Sequence, residues 1–358
     1  MTYAITSQTP TTGTECQRRA VTMATSGKRV VYIFSIVPRL AQLVQEAIPD
    51  VVVINIKPEG RVAAEQAKAV EQLKDAEILL ADNNFIAEIT HLLPKLQWVQ
   101  GTWAGVEGLV DFFRDKPKPN FPITRMVGDS FGQLMAEYTV GRIISHERDW
   151  FECHQNQLKG LWLHEKKIHY YRSLQDLVVG ILGMGNIGKE VARCLKTFRC
   201  TVHGYSRSVP SNENRCVSVD KYWHTGELSS LLKECDYVVN IMPSTPETRG
   251  MLGGDILKDA KDGAVLINIG RGDLISEADL IRSLDSGWLS AAILDVFAKE
   301  PLSSESPLWK HPKIVISPHT AATFIYRSEE ITKKFSANYQ RFIKNEPLIG
   351  AVEWNKGY

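Results

Sequence analysis

A continuous apolar run, Leu177-Val178-Val179-Gly180-Ile181-Leu182, breaks directly into Gly183-Met184-Gly185-Asn186-Ile187-Gly188, and a helical pattern then covers residues 189–198. A strand that turns through glycines straight into a helix opens a crossover to a parallel neighbour. Parallel sheets are covered by helices on both faces, so their strands read as unbroken apolar runs. The chain keeps that rhythm. Ahead of this unit, apolar runs at 30–34, 51–56, 78–81 and 96–100 alternate with helical patterns at 38–47, 61–73 and 86–93. Beyond it come runs at 201–205, 237–242, 264–269, 291–296 and 314–317. A Pro-rich stretch at 116–122 marks a surface loop or boundary, and a long helical pattern at 130–152 connects the halves. The residues after about 321 are helical and return to the first half.

These features predict an α/β protein of two doubly wound parallel-sheet domains. A Rossmann-type domain at 128–320 is inserted in a flavodoxin-like domain formed by 28–127 and 321–358. Its 358 residues suit two domains at roughly 100–200 residues each. Forty-two Lys and Arg balance 41 Asp and Glu, which gives no reason to expect nucleic acid or an anionic membrane as partner. No apolar run approaches the roughly 18–20 residues that span a bilayer. The six cysteines are scattered without a C-x-x-C pair and read as reduced thiols. The nine histidines form no H-E-x-x-H, so no metal is expected. Residues 1–27 are rich in Thr and Ser, with a single acid, Glu15. They read as a tail of a cytoplasmic protein or as a mitochondrial targeting segment, with Met23 as an alternative start.

The G-x-G-x-x-G that opened the argument carries meaning because it follows a strand and opens a helix. Gly183 permits the turn, Gly185 lets backbone approach a pyrophosphate, and Gly188 lets helix and strand pack closely. Asn186 and Ile187 begin the helix, whose free N–H groups favour an anion. An NAD site places an acid about 20 residues on, at the end of the next strand. Here that strand ends Tyr205-Ser206-Arg207-Ser208, with no acid before Glu213. Arg207 can pair with a 2′-phosphate, and Ser206 and Ser208 can donate to one. The expected cofactor is NADP(H), with NAD(H) use left open.

Three residues follow the ends of later strands: Arg271 in Asn268-Ile269-Gly270-Arg271-Gly272, Glu300 in Asp295-Val296-Phe297-Ala298-Lys299-Glu300-Pro301-Leu302, and His319 in Ser317-Pro318-His319-Thr320. Reducing a keto acid needs a cation for the carboxylate and an acid for the carbonyl oxygen. Arg271 offers the bidentate cation, His319 the proton, and Glu300 a partner that fixes the imidazole tautomer. Taken together, these motifs resemble the D-isomer-specific 2-hydroxyacid dehydrogenase family over nearly all of residues 28–341, most closely its glyoxylate and hydroxypyruvate reductases.

The resemblance implies further roles. Asp295 contacts the nicotinamide carboxamide; Met242, Pro243 and Thr248 form a loop beside the cofactor, and Ile269 lies in the next one. Trp103, Ala104 and Gly105, in Thr102-Trp103-Ala104-Gly105-Val106-Glu107, resemble the family's Gly-Ala-Gly-Val-Asp loop, whose N–H groups meet the substrate carboxylate. Trp103, and Glu107 in place of the usual Asp, leave the pocket's shape open. The D-stereochemistry and a homodimer, formed through the long helix and the 150–162 segment, come from the resemblance alone. Other readings within the fold are a phosphoglycerate-type dehydrogenase and a nucleotide-sensing, co-repressor-like protein. The missing acid argues against the latter. Formate dehydrogenases pair their His with Gln, which Glu300 argues against.

Overall fold

The computed structural model describes residues 27–58, 63–325 and 327–354; apart from Gly27, the N-terminal segment read as a tail or targeting peptide lies outside them. The chain divides into two compact units, one formed by residues up to 126 and from 325 onward, the other by 127–324.

The first unit runs β1 (Arg29–Phe34), α1 (Leu40–Ala47), β2 (Val51–Ile56), α2 (Ala63–Leu73), β3 (Ile78–Ala81), α3 (Asn83–Ile89), β4 (Trp98–Gly101), α4 (Glu107–Phe112) and β5 (Ile123–Thr124). Its sheet has the order β2-β1-β3-β4-β5 and every pairing is parallel. The order reverses between β1 and β3, which opens a crevice at their carboxyl ends. The helix expected at 86–93 starts earlier, at Asn83, and finishes as a 3₁₀ turn over Thr90–Leu92.

The second unit begins with α5 (Asp129–Glu147), α6 (Trp150–Leu158) and α7 (Lys166–His169). Then come β6 (Val178–Leu182), α8 (Asn186–Thr197), β7 (Thr201–Ser206), β8 (Lys221–His224), α9 (Leu228–Glu234), β9 (Tyr237–Asn240), β10 (Val265–Asn268), α10 (Glu277–Asp285), β11 (Ala291–Leu294) and β12 (Ile314–Ile316). Seven parallel strands lie in the order β12-β11-β10-β9-β6-β7-β8. Alternate residues face opposite sides. Val239, Ile267 and Ile293 pack with α5 and α8, whereas Val238, Leu266 and Ala292 pack with α9 and α10. The chain returns to the first unit as α11 (Arg327–Ile343), where Phe335 and Phe342 stack on Trp98.

Two expectations are corrected. The single helix read over 130–152 is two, because Asp149 adopts a left-handed backbone (φ 51°) that no right-handed helix accommodates. Strands β5 and β8 escaped notice: β5 is only two residues long, and β8 is an edge strand of mixed composition, with only Trp223 buried.

A polar cluster underlies the amino ends of β6 and β9. Glu147 is 1% exposed and accepts from Tyr237 Oη (2.6 Å) and Arg172 Nη2 (2.6 Å). Arg172 also bonds Asp236 (2.8 Å), whose other oxygen accepts from Val178 N. Burial pushes the Glu147 carboxyl up, but the bonds from Arg172 and Tyr237 outweigh it and leave it below the usual value. Removing one partner strands a buried charge. Arg172→Met is therefore expected to destabilise the second unit by about 3 kcal/mol in denaturant unfolding; a change under about 0.5 kcal/mol would mean the cluster is energetically idle.

Candidate active site

The glycine-rich turn is built to admit a phosphate. Gly183 has φ 107°, and a Cβ on Gly188 would overlap the Gly183 carbonyl, so neither position tolerates another residue without rearrangement. The first turn of α8, from Asn186 and Ile187, carries no acidic residue and no side-chain cap, so its N–H groups stay available to an anion. At the end of β7, Ser206 Oγ donates to Ser208 O (2.8 Å) and Thr225 Oγ1 to Arg207 O (3.2 Å), which folds the loop and leaves the Arg207 and Ser208 side chains exposed. These residues fit a dinucleotide with a 2′-phosphate.

Two buried amides shape the next loops: Asn268, read from the sequence only as part of its motif, and Asn240, not singled out there. Asn240 and Asn268 are partners in register at the ends of β9 and β10, joined by Asn240 Nδ2 donating to Asn268 Oδ1 (2.9 Å). Asn240 Oδ1 accepts from Met242 N (3.0 Å), and Asn268 Nδ2 donates to Arg271 O (2.9 Å). Ile269 is buried, and its N–H donates to Asn240 O. Thr248 Oγ1 closes the Met242–Thr248 loop by donating to Pro243 O (2.7 Å). Asp273 ties this loop to the next one, accepting from both Ser244 Oγ and Arg249 Nε. A readable signal existed: an Asn ends each of two otherwise apolar strands.

His319 and Glu300 meet directly, with Nδ1 2.7 Å from Oε2. Glu300 Oε1 accepts from Phe297 N (2.9 Å), which fixes the carboxylate. Nε2 of His319 has no partner among the described residues, and the side chain is 56% exposed. Arg271 Nη1 donates to Gly270 O (2.6 Å). Asp295 is buried, and its carboxylate accepts from Ser317 Oγ (2.5 Å), Thr320 N (2.9 Å) and Ala321 N (2.9 Å). That clamp holds the turn in which His319 adopts φ 53°, a left-handed backbone that needs support from its surroundings. Tyr138 Oη reaches Ser317 Oγ (2.6 Å) and extends the chain of bonds into α5. Asp295 thus presents its oxygens to this turn.

In the first unit, the expected substrate loop is held by Asn83, another residue not singled out from the sequence. Its Oδ1 accepts from Trp103 N (3.1 Å), and its Nδ2 donates to the Trp103 and Gly105 carbonyls. The N–H groups of Ala104, Gly105 and Val106 have no acceptor among the described residues. Among the described residues no group of three or more His, Cys, Asp or Glu is placed to hold a metal ion.

The hydrogen bond that His319 donates to Glu300 raises the His319 pKa above its ordinary value, against the opposing effects of burial and Arg271. Burial pushes Glu300 up, but the His319 bond and the Phe297 N–H bring it below its ordinary value. The charged pair therefore exists between the lowered Glu300 pKa and the raised His319 pKa, and it is lost as pH rises through the latter. The NMR titration of the His319 ring is expected to have its midpoint above about 6.5, and Glu300→Gln to bring it down. An unmoved midpoint would dissociate the two residues.

A family model described as the NAD binding domain of D-isomer specific 2-hydroxyacid dehydrogenases matches residues 140–321. A family protein from Aeromonas salmonicida is 30% identical, superposes with a TM-score of 0.79, and is matched over 92% of this chain and 100% of its own. A family enzyme from Xanthobacter autotrophicus, solved with NADPH, is 28% identical with a TM-score of 0.76, over 93% of this chain and 100% of that one. An NADPH-dependent glyoxylate/hydroxypyruvate reductase from Sinorhizobium meliloti, solved with NADP and sulfate, is 27% identical with a TM-score of 0.76, over 92% and 100%. With its glycine turn, its Asn-braced loops and its His319–Glu300 pair, the chain belongs to the D-isomer specific 2-hydroxyacid dehydrogenase family.

Proposed function

We propose that the chain reduces a small 2-keto acid, glyoxylate or hydroxypyruvate, to the D-2-hydroxy acid with NADPH. The observation that carries this reading is the 2.7 Å His319–Glu300 pair in the same fold as Arg271 and the glycine turn. The NADPH-bound Xanthobacter enzyme and the Sinorhizobium reductase support the cofactor and the substrate class.

Arg271 engages the substrate carboxylate through its planar fork and polarises the adjacent carbonyl. The N–H groups of Ala104 and Gly105 are donors suited to a substrate carboxylate, and Trp103 lends the loop its bulk. His319 Nε2 gives its proton to the carbonyl oxygen, and Glu300 keeps the Nδ1 proton in place, so the ring is charged before transfer and neutral after it. Bound NADPH supplies the hydride to the carbonyl carbon. Arg207 and Ser208 read the 2′-phosphate, and Asp295 keeps the His319 turn rigid.

Initial-rate absorbance with NADPH and NADH against glyoxylate, hydroxypyruvate and pyruvate tests the proposal; no turnover with any combination would refute it. Arg207→Ala should weaken NADPH binding by about tenfold or more while changing NADH binding little. Equal losses for both cofactors would remove Arg207 from the phosphate site.

A homodimer belongs to the same reading. Trp150, Phe151, Leu158, Leu161 and Trp162 line the 150–162 segment, and Trp162 is 89% exposed. A row of this kind calls for a cover, and a second copy supplies it. Sedimentation is expected to give a dimer that Trp150→Glu with Phe151→Glu dissociates; a wild-type monomer would overturn that assignment.

A further inference from the structure

The carboxyl edge of the five-stranded sheet gathers donors that lack acceptors. Arg327, the first residue of α11, places its guanidinium 5.7 Å from the centre of the Trp103 ring. It is half-buried and makes no hydrogen bond among the described residues. Burial lowers its pKa, and the carboxylate of Asp82 opposes that. Asp82, however, is spent on other bonds. It is fully buried and accepts from Ser35 Oγ (2.7 Å), Ile36 N (2.8 Å) and Thr102 Oγ1 (2.5 Å). The indole Nε1 of Trp103 is buried and without an acceptor. Arg125 adds a second cation, reaching Ala104 O at 3.4 Å.

An arginine stacked beside an indole and left without a bond is an expensive arrangement unless something completes it. The groups around Trp103 are of one kind: an indole N–H, a guanidinium and the free N–H groups of residues 104–106. They call for oxygen acceptors. The carboxylate of a 2-keto acid accounts for the backbone donors, which leaves the indole and Arg327 to the remainder of the molecule.

We propose that Arg327, together with the Trp103 indole N–H, determines substrate specificity by receiving an oxygen on the third carbon of the 2-keto acid. The chain accordingly prefers substrates of the hydroxypyruvate type over pyruvate and glyoxylate. A methyl group in that place leaves both donors dehydrated and unpaired, the situation in which sites built to hydrogen-bond discriminate most strongly. The inference rests on the keto-acid reductase reading and sharpens it.

The test is the ratio of kcat/KM for hydroxypyruvate to that for pyruvate and for glyoxylate, with NADPH, in the wild type, Arg327→Gln and Arg327→Lys. In the wild type the ratio over pyruvate should be about 100 or more, and Arg327→Gln should reduce it by roughly 30-fold or more, with Lys recovering part. Equal losses for all three substrates would make Arg327 a fold-supporting counter-charge to Asp82 and overturn the proposal, as would unchanged ratios. If Arg327→Gln fails to fold, Trp103→Phe keeps the ring and removes the N–H. Its ratio over pyruvate should drop by about tenfold, and an unchanged ratio overturns the proposal. A wild type inert towards all three substrates refutes the reductase reading itself, before any variant is made.

Discussion

In a parallel sheet every connection crosses over, so all the loops that follow strands collect on one edge. There the ladder of backbone hydrogen bonds stops, and the next few N–H and C=O groups need new partners. This chain supplies them from buried side chains set at the strand ends. Asp82 follows β3 and takes Ile36 N; Asn240 ends β9 and takes Met242 N; Asn268 ends β10 and donates to Arg271 O; Asp295 follows β11 and takes Thr320 N and Ala321 N. Each of these side chains is at most 1% exposed. An unmade bond at such a site costs about 1–3 kcal/mol, so these residues define the loops as firmly as the apolar core defines the sheet.

The opposite edge is organised differently. There Glu147, Arg172, Asp236 and Tyr237 bond one another, and Lys261 brings Asp236 its second cation. At the carboxyl edges the side chains proposed to meet ligands, Arg207, Arg271 and Arg327, are all cations, the sign that anionic or oxygen-bearing ligands require. The single acid among the proposed catalytic groups, Glu300, is tied to His319 and so does not repel a carboxylate.

Much of this was legible in the residues. The apolar runs located ten of the twelve strands, because a strand buried on both faces has no polar alternation to hide it. The glycine turn and the His319–Glu300 pair were readable because their chemistry is specific to few residue types. Three things stayed hidden. Strands β5 and β8 lie at sheet edges, β5 with two residues and β8 with little burial. The helix break at Asp149 depends on one backbone angle, for which an Asp is permissive but not diagnostic. Asn83, Asn240 and Arg327 work through neighbours distant in sequence: Arg327 meets Trp103 only after the chain has travelled through the whole second unit.

The late return of α11 to the first unit bears on how the molecule is made. The first unit takes its sheet from the amino-terminal third of the chain, but Trp98 is covered by Phe335 and Phe342, and Gln100 bonds Asn338. A ribosome that has finished β5 has therefore released a sheet with its largest aromatic uncovered, and it must translate some two hundred more residues before the lid for that surface emerges. The inserted unit has all its strands in one continuous stretch and needs no such wait. The chain order thus reverses the usual amino-to-carboxyl order of domain completion: the middle unit has all its strands before the cover for Trp98 in the early sheet is made.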